Sequence, residues 1–266
     1  MKSLRFSIGI LSWKGYDSLI NSLISYEKNG LSDMTDNKFI CLPEYTNEGL
    51  KIAEKFNYKP ILIKENLGIL EGFKVLAEKM PKGPILLLEN DLPLIEEKKN
   101  TFNQLKKSIE LLSLPRVIQI RLRSRANPGD PFVALKKYQQ YWSDTLISRT
   151  KRFLRPIKAE KLIGTSIYLI DAPEKRHPKK IYKLNEDFYL TFSSVLNWAN
   201  FAILVDRDKY LDIIIKKAQV TKTNKHINGF KNIEIEMNSS WWRKQDFELI
   251  VAPGLFTHNR LSYRGY

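Results

Sequence analysis

The sequence predicts an α/β protein whose mainly parallel sheet carries helices on both faces. Two observations support this. Through the first half, short stretches that are apolar at every position alternate with stretches of about a dozen residues whose apolar positions recur at helical spacing. Strands that read as unbroken apolar runs are buried on both sides, as in a parallel sheet with helical crossovers. The chain is also large enough to bury a sizeable core: 43% of its 266 residues are hydrophobic, and its 27% charged residues are ordinary for a soluble globular protein.

Residues 4–11 (LRFSIGIL) open as a strand. A helix follows over 16–30, with Leu19, Ile20, Leu23 and Ile24 at helical spacing and a glycine stop. Residues 38–42 (KFICL) read as a short strand, 46–56 as a helix capped near Thr46 or Asn47, and 60–64 (PILIK) as a strand. Residues 68–80 form a helix closed by Pro-Lys-Gly-Pro. A strand at 85–89, a helix at 96–112 and a strand at 116–122 complete this alternation. Towards the end come a strand at 200–205, helices at 206–218 and 232–245, and a strand within 247–260 that runs into a turn. No linker, repeat or low-complexity tract divides the chain, so a single domain is expected over residues 1–266.

The net charge of +15 favours anionic partners: nucleotides, nucleic acid, acidic glycans or an anionic membrane surface. The charge is concentrated. Residues 116–180 hold 16 Lys and Arg against 5 Asp and Glu, interleaved with Tyr138, Tyr141, Trp142 and Phe153. A single cysteine, Cys41, excludes an internal disulfide and a cysteine-rich zinc site and fits a reducing compartment. No apolar run reaches the ~18 residues of a membrane span, and the first residues lack the small-residue cleavage site of a signal peptide. A cytoplasmic location is expected, with peripheral contact to a membrane left open.

The chemistry centres on PILLLENDLPLI, residues 84–95. An apolar strand here ends in Glu89-Asn90-Asp91. A carboxylate at the end of a buried strand must face something polar, because desolvating it unpaired costs several kcal/mol. By strand alternation Glu89 and Asp91 share a face. Two oxygen donors so spaced suit a hard divalent cation, Mn²⁺ or Mg²⁺, able to bridge a diphosphate. The same acids also read as caps of the helix near Glu96 or as exposed loop residues, and the three residues alone leave both readings open.

The order of these motifs resembles the GT-A glycosyltransferases, nucleotide-sugar-dependent enzymes with a Rossmann-like sheet. SIGILSW opens the chain, a short strand ends in CLPEY, and ENLGILEGF precedes the strand ending in ENDL. In that family the acidic element at this place is a D-x-D motif, and here Glu89 stands where the family has Asp. The resemblance covers the layout of most of the first 125 residues and a few motifs of the tail. It implies a nucleotide-sugar-binding half over 1–125 and an acceptor-binding half over 126–266.

The resemblance also implies roles. Ser12, Trp13 and Lys14 would border the nucleotide base, and Glu44 would read the base or ribose. Asn66 would contact the nucleotide, and Gly68 would permit close backbone approach. Glu89, Asn90 and Asp91 complete the implied donor site. A late histidine in a segment like GLFTH completes the metal site in several such enzymes, so His258 joins Asp91 as a ligand; imidazole suits Mn²⁺ better than Mg²⁺. The family carries its base at the start of a late helix, here NIEIEMNSSWW. That points to Glu234, then Glu236, with Asp246 in reserve. Asn197 and Asn200 lie where the family meets acceptor. Trp198, Trp241 and Trp242 offer aromatic faces for a sugar, though adjacent helical residues cannot both point the same way. Each of these residues has a plain structural reading as well, as a cap, a turn or part of the core.

The expected activity is metal-dependent, inverting transfer of a sugar from a UDP- or GDP-sugar to a glycan hydroxyl. The basic middle is expected to flank the acceptor and meet an anionic glycan or a membrane surface. Nucleic acid is not an expected partner: basic residues and aromatics permit it, but no helix-turn-helix, zinc-finger or RNP motif is present. The other alternative is a GT-A-like binding module without activity. The absence of a G-x-x-x-x-G-K-[ST] motif argues against a P-loop NTPase, and a glycine-poor first loop argues against a nucleotidyltransferase.

Overall fold

The computed structural model describes residues 4–185, 187–223 and 225–261. The first half alternates as expected: β1 (Ser7–Leu11), α1 (Tyr16–Lys28), β2 (Lys38–Pro43), α2 (Asn47–Lys55), β3 (Lys59–Ile63), α3 (Gly68–Lys79), β4 (Pro84–Glu89), α4 (Lys98–Leu112) and β5 (Val117–Arg123). The middle folds into short helices: α5 (Val133–Trp142), α6 (Leu146–Leu154), α7 (Pro156–Glu160) and α8 (Pro173–Arg176). After them come β6 (Tyr182–Lys183), β7 (Tyr189–Phe192) and β8 (Ile203–Asp206). A continuous helix then joins α9 (Arg207–Lys209), a π-helical stretch Tyr210–Ile215 and α10 (Lys216–Val220). The chain finishes with α11 (Ile233–Met237), α12 (Ser240–Gln245) and β9 (Glu248–Phe256).

The strands form one sheet in the order β3-β2-β1-β4-β8-β5-β9-β7-β6. Strands β1 to β4 are mutually parallel, and β5 and β9 are parallel to each other. The expectation of a mainly parallel sheet holds with two exceptions: β8 runs antiparallel between β4 and β5, and β7 runs antiparallel to β9. A strand buried on both faces reads the same in either direction, so the sequence of β8 carries no sign of its reversal.

Alternation across the pleat sorts the apolar side chains into two cores. Ile8, Ile10, Ile40, Leu86, Leu88 and Ile120 pack with α1 and α4 through Leu19, Leu23, Tyr26 and Leu105. Cys41, Ile85, Leu87, Ile203 and Val251 face the other way, against Phe73 and Leu76 of α3 and Ile214, Met237 and Trp242 of the later helices. Both cores are anchored on strands shared by the two halves of the chain. The single helix expected over 232–245 is broken after Met237, where Asn238 turns its side chain to the backbone at Trp198: it accepts from the Trp198 N–H at 2.7 Å and donates to the Trp198 carbonyl at 3.0 Å. Among the described residues, no helix is long and apolar enough to cross a membrane.

Candidate active site

In a parallel sheet, side chains that act on a ligand gather beyond the carboxyl ends of the strands. Leu11 of β1, Cys41 of β2 and Glu89 of β4 stand level with one another at that edge. From there the chain leaves β1 through Ser12 to Gly15, with Lys14 at φ 55° and Gly15 at φ 66°. The fully buried Asn90 holds this turn, donating from Nδ2 to the carbonyls of Lys14 and Gly15 at 3.0 and 3.1 Å. Ser12 is buried as well, its N–H donated to the Cys41 carbonyl. These two residues build the loop that presents Trp13.

Trp13 lines a cleft of about 620 Å³, open to solvent, together with Asn66, Gly68, Glu89 and Phe230. Its indole N–H donates to Glu44 Oε2 at 2.5 Å. That bond, aided by Lys14, holds the Glu44 carboxyl below its ordinary value. Asn66 Oδ1 accepts the Gly68 N–H at 2.9 Å, and Gly68 sits at φ 68°. A Cβ on Gly68 would come within 2.4 Å of the Phe230 Cβ, so this position needs glycine twice over. Phe230 belongs to a tight turn closed by backbone hydrogen bonds between Ile227 and Phe230, with Asn228 and Gly229 both at positive φ. The sequence reading missed this turn; its Asn-Gly pair at 228–229 was the available signal.

Asp91 is 1% exposed and lies just past β4. The chain after β9 folds back onto it: the Asn259 N–H donates to the Asp91 carbonyl, and Thr257 to that of Pro93. This brings His258 Nε2 to 3.4 Å from Asp91 Oδ2. The expected metal pair therefore meets in space. Arg260 also reaches Asp91 Oδ2, with Nε and Nη2 each at 2.9 Å. His258 Nδ1 is hydrogen-bonded to the Asp130 carbonyl, which can only accept, so Nδ1 carries the proton. Burial disfavours the imidazolium, but Asp91 and the Asp130 carbonyl outweigh it and lift the His258 pKa. Among the described residues no three His, Cys, Asp or Glu form a cluster suited to a metal ion.

A second cleft of about 1220 Å³, open to solvent, adjoins the first, and Glu89 borders both. Glu234, Asn197, His258 and Arg260 line it. The Glu234 N–H is capped by Asn232 Oδ1 at 2.8 Å, and its Oε1 accepts the Asn200 N–H at 3.0 Å. Burial raises its pKa, against the lowering by Asn200, Arg121 and Arg123. Glu236 is buried elsewhere, near Lys231 and His226, with its pKa also raised by burial. Asp246 lies at the exposed end of α12 by Arg116, away from the cleft.

Two arginines of β5 complete the site, and the sequence reading counted them only as charge. Arg121 and Arg123 point from alternate positions of one strand into the second cleft. Arg121 donates to Gln119 Oε1 and to the Asn197 carbonyl. The Arg123 guanidinium lies between the rings of Phe132 and Phe201, at 3.8 and 4.0 Å from their centroids, and donates to the carbonyls of Pro128 and Gly129. Burial pulls its pKa down to about 10, so it stays charged near neutrality. Two arginines in a buried, mostly apolar strand (VIQIRLR) were the visible sign.

The tryptophans expected to form a sugar platform are placed otherwise. Trp198 and Trp242 are buried against each other, edge to face at 5.5 Å, with Tyr210 stacked on Trp198. Their indole N–H groups donate to Asn200 Oδ1 and the Leu196 carbonyl. Trp198 borders the second cleft, but its faces are taken. Trp241 packs on Phe247.

No protein-family model and no curated protein sequence matches the chain. Solved structures do. The chain is similar to S. aureus TarS 1-349 in complex with UDP-GlcNAc at 12% identity and a TM-score of 0.51, covering 98% of this chain and 60% of that one. Against the S. aureus TarS structure the identity is 13% and the TM-score again 0.51, over 97% of this chain and 37% of that one. The chain thus spans less than two thirds of the length of these neighbours. The mannosyltransferase PcManGT from Pyrobaculum calidifontis, in complex with GDP-Man and Mn2+, matches over 47% of this chain and 38% of its own at 8% identity; its TM-score of 0.34 is too low to support an argument. The likeness across nearly the whole chain, together with the strand order and the acidic end of β4, shows that this protein has a GT-A-type fold.

Proposed function

We propose that the protein is a glycosyltransferase that moves a sugar from a nucleotide-diphosphate donor, a UDP- or GDP-sugar, to a glycan hydroxyl with inversion. The observation that carries this reading is the meeting of Asp91 and His258 beside a cleft that Glu234 lines from another element. The first cleft takes the nucleoside, with Trp13, Glu44, Asn66 and Gly68 around it. Glu89, at the border of the two clefts, stands where the diphosphate passes from one to the other.

A divalent cation fits Asp91 and His258. The Nδ1–H tautomer leaves Nε2 as a ligand atom, oriented by the Asp130 carbonyl as such ligands usually are. Two protein ligands suffice where phosphate oxygens and water supply the rest. When bound, Mn²⁺ or Mg²⁺ would supply charge stabilisation for the departing diphosphate. Arg260, Arg121 and Arg123 add positive charge on the same side.

The acceptor hydroxyl lies in the second cleft, near Asn197. As its oxygen attacks the anomeric carbon, Glu234 takes its proton. The bond from that carbon to the diphosphate oxygen breaks, and the diphosphate leaves with the electron pair. The hydrogen bond from Asn200 holds the Glu234 carboxylate in place for this. Donor screening tests the reading: UDP- and GDP-sugars are incubated with Mn²⁺, hydrolysis is followed, and the anomeric configuration of the product is read by NMR. Hydrolysis of one donor with inversion is expected, and no turnover of any donor would overturn the proposal.

A further inference from the structure

Helix α6 is attached to the protein the wrong way round for a helix of a soluble protein. At roughly 100° per residue, Leu146, Ile147, Phe153 and Leu154 fall on one arc of about 120°. All four are exposed, Leu146 at 78% and Phe153 at 84%. The opposite side, which faces the protein, is polar. Ser148 is buried and donates to the Gln140 carbonyl, and Arg152 donates to the Tyr141 carbonyl and stacks on Trp142. Ile157 of α7 extends the apolar strip at 63% exposure.

Cations frame the strip. Arg149 and Lys151 flank the apolar arc on its two sides, and Arg155 and Lys158 follow it. The nearby acids are already committed, Asp144 to Arg176 at 2.8 Å and Glu160 to Lys180 at 2.9 Å. Arg155, Ile157, Lys158, Lys161 and Arg243 line a groove at the foot of the strip. Burial, and then the charges of Arg243, Lys158 and Lys137, pull the Lys161 ammonium below its ordinary value. Lys161 also lines the second cleft, so the basic surface is continuous with the candidate active site.

We propose that the α6–α7 surface docks on an anionic lipid bilayer, its apolar strip entering the headgroup–acyl boundary and its cations meeting lipid phosphates. An apolar face bordered by Lys and Arg is the pattern of helices that lie in a bilayer interface. A second copy of the chain fits poorly, since a two-fold contact would set these cations against themselves. Lys161 places one edge of the second cleft beside this docking surface. The inference does not depend on the proposed transfer reaction, because lipid binding is read without substrate.

The test is flotation of the full chain with vesicles of phosphatidylcholine alone or mixed with phosphatidylglycerol, at low and high salt. Binding is expected only with phosphatidylglycerol, and weaker at high salt. The pair Phe153→Ser and Leu154→Ser should lower affinity roughly tenfold or more. Arg149→Gln, Lys151→Gln and Arg155→Gln should each lower it about fivefold. All five side chains are exposed, and the thermal midpoint of each variant checks that the fold is kept. Equal binding to both kinds of vesicle, or variants that bind like the parent, would overturn the proposal. So would a parent dimer that the Phe153→Ser change disperses, since the strip would then be covered by a second copy.

Discussion

Asp91 and Glu234 show how a single side chain acquires its chemistry from what the fold puts beside it. Asp91 is buried, and His258 and Arg260 converge on its Oδ2. Asp91→Asn keeps the shape and removes the charge, so Mn²⁺-dependent binding of a nucleoside diphosphate, measured by calorimetry, should fall at least about tenfold while the circular dichroism spectrum is unchanged. Parent-like affinity would show that Asp91 is no ligand. For Glu234, Gln keeps the hydrogen bond from Asn200 and loses basicity, so kcat should fall about 10²–10⁴-fold with donor binding intact. Burial raises the Glu234 pKa. A base works only when ionised, so kcat should rise with pH along a limb above the usual carboxylate range, and the limb should vanish in Glu234→Gln. The raised folded pKa also means that ionising this buried group costs stability as pH climbs through it. The Gln variant should therefore melt higher than the parent on the alkaline side of that pKa.

At the level of the element, the turn at 227–230 and the start of α3 act as one unit. Gly68 caps this contact: its φ of 68° suits glycine, and Phe230 leaves no room for a Cβ. Gly68→Ala adds left-handed strain and overpacking, with an expected cost of about 1–3 kcal/mol. Because Asn66, Gly68 and Phe230 line the same cleft, nucleotide affinity should fall with stability. Urea titration and nucleotide binding, run side by side, check both, and an affinity untouched by the substitution would place the nucleotide elsewhere. The elements were unequally legible. The strands and helices up to β5 fall within three residues of the periodic pattern, because each follows a regular apolar spacing. The helices α5 to α8 and strands β6 and β7 went unread, since most are short and α6 turns its apolar residues outwards.

Across the whole molecule, the sheet binds the two halves of the chain together. Strand β8 comes from the second half yet lies between β4 and β5 of the first, and β9 lies beyond β5. Residues 1–125 alone would leave β4 and β5 without the strand that joins them. That fragment should lack a cooperative thermal transition, whereas the full chain should unfold in one step. A sharp melt of the fragment would instead divide the chain into separate folding units.

Alternation of apolar runs with helical spacing was enough to determine the α/β class, most of the first five strands and the acidic edge at Glu89 to Asp91, because these follow from local periodicity and from the cost of burying a charge. The resemblance already implied that His258 lies by Asp91, but the entry of Arg121 and Arg123 into the cleft, the retreat of Trp198 and Trp242 into the core and the reversal of β8 were decided only by tertiary structure. Each depends on which distant segments come to lie side by side. A side chain's residue type limits what it can do, while the fold decides its burial and its neighbours, here 3.4 Å from Asp91 to His258 and 5.5 Å from Trp198 to Trp242.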